Sequence, residues 1–196
     1  MNRLLVSLLV LLGSLLAGCS RPHTFAGTEL DPAPLATDFA GTNWNGTPFQ
    51  LKALQEEVVL LFFGYTSCPD VCPTTLAEMK KLYDLLGEDA QDVAVVLVTV
   101  DPERDTVARL AEYVPAFNAA FYGVFLESDV LEETKRAYGI FAQKAESGSA
   151  PTAAGYLVDH TASLLVLDRQ GRWRLLYSFG TTAEEMLSDI RYLLQA

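Results

Sequence analysis

Residues 58–76 read VVLLFFGYTSCPDVCPTTL, and the fold prediction begins there. The run Val58–Phe63 is unbroken, apolar and rich in β-branched and aromatic residues, which is typical of a strand buried on both faces. Cys68 and Cys72 follow this run, and three residues separate them. From Pro73 to Leu86 the apolar residues recur at helical spacing. The segment therefore predicts a buried strand, a loop with two cysteines, and a helix.

The position of Pro73 indicates where this helix begins. A proline in a helix interior costs about 3 kcal/mol, whereas its missing N–H is harmless in the first turn. We therefore expect the helix to begin near Pro73, with Cys72 at its amino end and Cys68 on the preceding loop. The helix dipole and free backbone N–H groups at that end favour thiolate over thiol. Both cysteines are predicted to be good nucleophiles and good metal ligands.

The rest of the chain alternates predicted strands and helices. A second buried strand over Val93–Val100 is expected to run parallel to the first, because a helix connects the two. The remaining predicted elements are a helix at Thr106–Tyr113, a short strand at Phe121–Leu126, a helix at Asp129–Tyr138, an exposed loop at Glu146–Gly155, a hairpin of Ala162–Leu167 and Trp173–Phe179, and a helix at Thr181–Leu194 with Thr182 as its N-cap. This order predicts an α/β thioredoxin-like fold. It has a central mixed sheet flanked by helices, and an amino-terminal hairpin extension around Asn43–Phe49.

The amino terminus has the pattern of an export signal. Arg3 gives it a positive start, and the apolar run Leu4–Ala17 is shorter than the roughly 20 residues that cross a membrane as a helix. Leu16-Ala17-Gly18-Cys19 resembles the bacterial lipobox, which implies cleavage before Cys19 and lipidation of its thiol. We expect a lipoprotein signal peptide at 1–18, a lipidated tether at 19–37 with His23 as a solvated linker residue, and one domain at 38–196. Such a protein is exported and lipid-anchored to a bacterial membrane, facing the periplasm or the cell exterior.

Charge excludes one class of partner. The formal net charge is −11, so nucleic acid phosphates would repel the protein. Half of the residues are hydrophobic, which is ordinary for a folded domain and argues against disorder.

Few side chains in the domain can bind a soft metal ion. With Cys19 assigned to lipid, the domain holds Cys68, Cys72 and a single histidine, His160. His160 lies just before the predicted hairpin, and a thioredoxin-like fold brings that position close to the cysteine loop.

Three interpretations of the cysteine pair are open. A structural disulfide would be a weak staple, because closing so short a loop removes little chain entropy. A redox pair is the second interpretation, although thioredoxin-like enzymes usually carry C-x-x-C rather than this C-x-x-x-C. The third is a metal site completed by His160. Two thiolates and one imidazole are incomplete for structural zinc but suit Cu(I) and Cu(II), so the donor set favours copper with redox chemistry coupled to it.

Three motifs in this chain resemble the Sco/SenC copper chaperones. They are Gly64–Pro73, Val100–Thr106, and Asp159–Thr161 with Asp168 and Gly171 downstream. The resemblance implies a thioredoxin-like fold and copper binding by Cys68, Cys72 and His160. Asp159, next to the histidine, is expected either to orient or tune it or to make a turn hydrogen bond. The resemblance also implies a role in maturing the binuclear copper centre of cytochrome c oxidase.

The function predicted from the sequence is that of a membrane-tethered metallochaperone rather than an enzyme. It would carry one Cu(I) or Cu(II) ion and pass it to the copper-centre subunit of the oxidase. Further expected partners are a second periplasmic copper chaperone or a thiol reductant. Two alternatives remain: a thiol-disulfide reductase with Cys68 and Cys72 as its redox pair, and a copper or redox sensor.

Overall fold

The computed structural model describes residues 23–145 and 156–196, which form one eight-stranded sheet, a separate two-stranded sheet, and helices packed around them. The strands are β1 (Thr28–Glu29), β2 (Ala40–Asn43), β3 (Pro48–Gln50), β4 (Val58–Gly64), β5 (Val93–Thr99), β6 (Tyr122–Phe125), β7 (Ala142–Lys144), β8 (Val158–His160), β9 (Leu164–Leu167) and β10 (Trp173–Tyr177). The α-helices are α1 (Val71–Leu86), α2 (Val107–Tyr113), α3 (Ser128–Tyr138) and α4 (Ala183–Leu194). The large sheet has the order β1-β10-β9-β4-β5-β6-β2-β3, and β7 pairs with β8.

The centre of the large sheet is the predicted β-α-β unit. Strands β4 and β5 are parallel from Val58↔Val93 to Gly64↔Thr99, and all of their residues are buried. Strand β6 is parallel to β5, whereas β9 is antiparallel to β4. The predicted mixed sheet flanked by helices is therefore confirmed.

Helix α1 begins at Val71, two residues before the predicted start near Pro73. Its first internal hydrogen bond runs from the Thr74 N–H to the Asp70 carbonyl at 3.2 Å. Pro73 therefore stays within the first turn, where its missing N–H removes no helical bond. The predicted position of Cys72 at the helix amino end is confirmed.

Helix α4 begins as the sequence predicts. The Thr182 hydroxyl accepts a hydrogen bond from the Glu185 N–H at 3.4 Å, and the Glu185 carboxylate accepts one from the Thr182 N–H at 2.8 Å. This reciprocal capping box satisfies two backbone donors that the helix itself leaves unpaired. The hairpin before it, β9–β10, is also found where it was predicted.

The amino-terminal hairpin is formed by β2 and β3. Strand β2 also pairs with β6, so the hairpin extends the large sheet at one edge. Its turn is closed by a 2.9 Å hydrogen bond from the Asn43 N–H to the Thr47 carbonyl. The predicted hairpin extension is confirmed.

The predicted tether at 19–37 is wrong from His23 onward. Strand β1 pairs with β10, Leu35 bridges to Arg172, and His23 is bonded to Asp189 in α4 at 2.8 Å. His23 is therefore a contact residue of the domain and not a solvated linker residue. The predicted signal peptide, Cys19 and the rest of residues 1–22 lie outside the described part of the chain. Across 23–145 and 156–196, no helix has the length and apolar character needed to cross a membrane.

The two-stranded sheet of β7 and β8 was not predicted. Ala142 pairs with His160 and Lys144 pairs with Val158, so His160 lies at the end of a strand rather than in a free loop. The predicted exposed loop, Glu146–Gly155, lies between these strands and outside the described residues. This small sheet fixes the backbone of the only histidine among residues 38–196.

Candidate metal centre

Three potential ligand atoms meet at the carboxyl end of β4. The sulfurs of Cys68 and Cys72 and a ring nitrogen of His160 all lie within 4.8 Å of one another. The Cys72 Sγ is 3.5 Å from the His160 Nε2, and both cysteines are free thiols. The structure thus brings together the three residues that the sequence predicted as a set.

The two cysteines are placed by the junction of β4 and α1. Cys72 is the second residue of α1 and its side chain is buried. Its N–H donates to the Cys68 Sγ at 3.4 Å, while the Cys68 N–H donates to the Tyr65 carbonyl at 3.3 Å. Cys68 therefore curls back over the helix amino end, where a backbone N–H is available for a sulfur atom.

The two thiols differ in acidity. The Cys72 side chain donates a hydrogen bond to Cys68 and holds the pKa of Cys68 far below its usual value, at about 3. Burial opposes this shift, and hydrogen bonds from the backbone add to it. The same hydrogen bond raises the pKa of Cys72, and burial raises it further. In the metal-free, reduced protein near neutral pH, Cys68 is the thiolate and Cys72 keeps its proton.

The His160 ring is held so that one nitrogen faces the sulfurs. Its Nδ1 is 2.9 Å from the Thr161 carbonyl oxygen, which can only accept, so Nδ1 carries the hydrogen. In the neutral ring, this leaves the lone pair on Nε2, toward Cys72. Thr161 is itself fixed, because its N–H donates to the Phe141 carbonyl at 2.9 Å and its hydroxyl accepts from the Phe141 N–H at 3.0 Å.

The sequence left two roles for Asp159, orienting the imidazole or making a turn hydrogen bond, and in the structure the Nδ1 of the imidazole is hydrogen-bonded to the Thr161 carbonyl instead. Asp159 is the middle residue of β8 and is exposed. Neighbouring side chains on a strand point to opposite sides, so the side chains of Asp159 and His160 diverge. The hydrogen-bond partner of Nδ1 is therefore a main-chain carbonyl. Every residue has such a carbonyl, so the sequence does not identify this partner.

Two aromatic rings pack against the imidazole. Tyr65 and Phe62 meet the His160 ring edge to face, at centroid distances of 5.6 and 6.1 Å. The Tyr65 hydroxyl also accepts a hydrogen bond from the Val158 N–H at 3.2 Å, which ties the cysteine loop to β8. Burial raises the pKa of Tyr65, and the neighbouring Cys68 raises it further. Tyr65 lies within the Gly64–Pro73 motif, but its residue type alone predicts no part in the site.

The motif at residues 100–106 is hydrogen-bonded to the cysteine loop through the carboxylate of Asp105. Asp105 is fully buried, and its carboxylate accepts from the Thr66 N–H at 2.8 Å, the Thr66 hydroxyl at 2.6 Å and the Thr99 hydroxyl at 2.7 Å. The buried carboxylate thus fixes the backbone two residues before Cys68. The motif is visible in the sequence, but this structural part depends on distant contacts that the sequence does not show.

Asp101 in the same motif is hydrogen-bonded to Tyr156, the first described residue after 146–155. The Tyr156 hydroxyl donates to Asp101 at 2.7 Å, and Arg104 donates to Asp101 at 2.5 Å and to the Tyr156 carbonyl at 2.8 Å. The Arg104 guanidinium also stacks over the Tyr156 ring at 3.6 Å. These contacts position the start of the segment that leads to His160.

The donor set fits a soft metal ion. Two sulfurs and one imidazole nitrogen are the ligand types that copper and zinc prefer, and three protein ligands are one fewer than a closed structural zinc site uses. Such a site can bind copper and still leave it open to an incoming ligand.

Comparisons with known proteins point to one family. The sequence model of the SCO1/SenC family matches residues 27–195. The structure of apo Sco1 from Thermus thermophilus is 39% identical, with a TM-score of 0.77, over 89% of this chain and 99% of that one. The copper-bound structure of ScoI from Bradyrhizobium japonicum is 33% identical, with a TM-score of 0.73, over 82% of this chain and 99% of that one. A SCO1/SenC family lipoprotein from Bacillus anthracis is 27% identical, with a TM-score of 0.71, over 87% and 99% of the two chains. These likenesses confirm the predicted thioredoxin-like fold.

Proposed function

Because the chain belongs to the SCO1/SenC family, we propose that it binds one copper ion through Cys68, Cys72 and His160 and delivers it to the copper-centre subunit of cytochrome c oxidase. The observation that carries this proposal is that the three ligand atoms lie within 4.8 Å of one another. A similar protein, ScoI from Bradyrhizobium japonicum, is known with copper bound. Copper is the cargo of this protein, and its residues bind and release it.

The order in which the ligands bind copper follows from the different acidity and exposure of the two thiols. Cys68 is already a thiolate and is half-exposed, so it is the first sulfur that an incoming copper ion meets. Cys72 is buried and protonated, so its proton must leave before the second sulfur can bind. His160 then supplies Nε2 as the third ligand. Release also begins at Cys68, because a thiol or imidazole of the acceptor can replace this accessible sulfur first.

The proposed location is the outer face of a bacterial membrane. The Bacillus anthracis relative is named a lipoprotein, and Leu16–Cys19 of this chain resembles a lipobox. We infer that the signal peptide is removed and that Cys19 carries the lipid. This places the domain on the side of the membrane that is exposed to the periplasm or the cell exterior, and that compartment permits cysteine oxidation.

A copper titration of the reduced domain tests the proposal. We expect one Cu(I) per chain in competition with a colorimetric chelator, and sulfur and nitrogen ligands in X-ray absorption. Cys68→Ser, Cys72→Ser and His160→Ala should each weaken binding strongly, whereas Asp84→Ala on the exposed face of α1 should not. Stoichiometric binding of wild-type affinity in both Cys68→Ser and His160→Ala would sink the proposal.

A thiol-disulfide reductase is the second candidate, favoured by the unequal thiols. In that reaction the Cys68 thiolate attacks a disulfide of the target and forms a mixed disulfide, and one target thiolate leaves with the electron pair of the broken bond. Cys72 then loses its proton and attacks the Cys68 sulfur, which releases the second target thiolate and forms the Cys68–Cys72 disulfide. The target is reduced by two electrons and the chaperone is oxidised by two.

His160 separates the two candidates. Copper delivery needs the imidazole as a ligand, while disulfide exchange needs only the two sulfurs. Reduction of an oxidised target peptide by metal-free protein, at a rate that His160→Ala leaves unchanged, would favour the reductase. Copper transfer to the reduced target that is lost in His160→Ala would favour delivery.

A further inference from the structure

The amino-terminal segment is bound to the domain by a buried carboxylate. Asp189 in α4 is fully buried, and its oxygens accept hydrogen bonds from the His23 Nε2 at 2.8 Å, the Ala26 N–H at 2.9 Å, the Gly27 N–H at 3.3 Å and the Tyr177 hydroxyl at 2.9 Å. Three of these four donors belong to the amino-terminal segment. Detaching this segment would leave the buried Asp189 carboxylate with fewer hydrogen-bond donors, and a buried charge without such partners raises the free energy of the protein.

Aromatic stacking reinforces this attachment. The His23 ring lies flat on Tyr192, with centroids 4.4 Å apart and an interplanar angle of 12°. Phe25 meets both rings edge to face, at 4.6 Å from His23 and 5.4 Å from Tyr192. We call His23, Phe25, Asp189 and Tyr192 the latch. It fixes the point at which the chain enters the domain.

The latch lies at the opposite end of the helices from the metal centre. Helices α1 and α4 run side by side, since the Ala183 N–H donates to Glu78 at 2.7 Å and Arg191 donates to the Leu85 carbonyl at 3.3 Å. The latch residues of α4 therefore lie level with the carboxyl end of α1, whereas Cys72 is at its amino end. From Cys72 to Leu85 the helix rises about 20 Å.

The surface at this end combines exposed apolar side chains with a 3.5 Å ion pair between Arg191 and Asp89. Leu85 is 40% exposed and Tyr192 is 42% exposed, and Arg191 lies on the same helix end as Tyr192. Tyrosine and arginine are suited to a membrane interface, where the ring or stem is buried and the polar tip stays wet. Asp84, Glu88 and Asp89 are also exposed here, so a zwitterionic lipid surface fits better than a strongly anionic one.

We propose that the carboxyl ends of α1 and α4 rest on a zwitterionic lipid bilayer, and that the latch thereby directs the metal centre away from the membrane. The length of chain before the latch supports this. Cys19, the predicted lipidation site, precedes His23 by four residues, which span at most about 14 Å. An anchor so short keeps the latch end of the domain near the lipid headgroups. This inference rests on lipidation of Cys19 and is independent of copper binding.

Tryptophan quenching by brominated lipids tests the orientation. The lipidated full chain is placed in phosphatidylcholine vesicles with or without bromine on the acyl chains, and lipid on Cys19 is checked by mass spectrometry. Leu85→Trp reports the latch end, and the matched control Phe141→Trp reports the metal-site end, because Phe141 is also exposed and contacts Thr161. Wild-type fluorescence is subtracted. We expect the signal added by Leu85→Trp to fall by about half and the signal added by Phe141→Trp to stay unchanged.

The latch is tested in the same vesicles. Adding His23→Ala to Leu85→Trp should reduce the quenching at least twofold, and His23→Gln, which keeps a side-chain N–H donor, should restore part of it. Circular dichroism and copper titration show whether each variant is folded. Equal quenching at the two reporter positions, absence of quenching at Leu85→Trp, quenching that is unaffected by His23→Ala, or absence of lipid on Cys19 would each overturn the proposal. None of these outcomes alters the copper titration that tests the proposed function.

Discussion

Gly64 and Cys72 are in direct contact because residue 64 lacks a side chain. A Cβ atom on residue 64 would lie 2.9 Å from the Cys72 Sγ, closer than real Cβ contacts, and 2.8 Å from the ring of Phe62. Phe62 in turn packs against His160. The glycine therefore sets the position of one proposed ligand directly and of another through a ring.

Gly64→Ala should therefore weaken copper binding by about tenfold or more, because it displaces Cys72 and Phe62 together. Chelator competition measures the affinity. Gly123→Ala is the matched control: its Cβ would lie 2.6 Å from a Val114 methyl group and not against a proposed ligand. It should lower stability without changing the copper affinity of the folded protein. Equal copper affinities in the two variants would contradict the role of Gly64.

Alkylation of the metal-free, reduced protein should distinguish the two thiols. At pH 6, iodoacetamide is expected to modify Cys68 before Cys72, because a pKa of about 3 leaves Cys68 as thiolate, while Cys72 is protonated and buried. Peptide mapping by mass spectrometry measures both rates. Cys72→Ala removes the sulfur that donates to Cys68, so the pKa of Cys68 should rise and its modification at pH 6 should slow. Faster modification of Cys72 than of Cys68 would show that Cys68 is not the thiolate of the pair.

Copper affinity should rise with pH. Binding requires both thiolates, and Cys72 holds its proton because its pKa is raised, so copper must displace that proton. Cys68 has a lowered pKa and releases no proton above about pH 4. One released proton per copper raises the apparent affinity by up to about tenfold per pH unit. Chelator competition between pH 6 and 8 measures the slope, and an affinity independent of pH would mean that Cys72 is already ionised.

Asp105→Ala should lower the free energy of unfolding by about 3 kcal/mol. It leaves the Thr66 N–H and two buried hydroxyls without their acceptor, and such groups cost about 1–3 kcal/mol. Urea denaturation measures the loss. The control is Asp84→Ala, which removes an exposed ion pair with Lys80 and should cost less than about 1 kcal/mol. Similar losses in the two variants would argue against a structural role for the buried carboxylate.

The sequence predicted those elements whose pattern is local. The strand at Val58–Gly64 is a continuous apolar run, α1 has its apolar residues at helical spacing, and α4 has a capping box within four residues. Each of these signals lies inside the element that it predicts. The cysteine pair and the single histidine were equally visible, because rarity in the composition singled them out.

The features that the sequence did not predict depend on distant contacts. The segment after residue 23 has no periodicity, and its place in the fold depends on Asp189, which is 166 residues from His23. The orientation of His160 depends on the Thr161 carbonyl and on pairing between β7 and β8, which are short strands. The sequence offers Asp159 as a neighbour of His160, but it cannot show that a main-chain carbonyl, that of Thr161, is the partner of Nδ1.

The distance along the chain between Cys72 and His160, 88 residues, has a consequence for biogenesis. A chain that is still incomplete presents two thiols before its imidazole has been added, and the third ligand comes into place only when β9 pairs with β4 and β8 pairs with β7. Long-range pairings of this kind form late in folding. A nascent chain can therefore offer copper at most two sulfur ligands. Only completely folded molecules can bind copper with all three ligands.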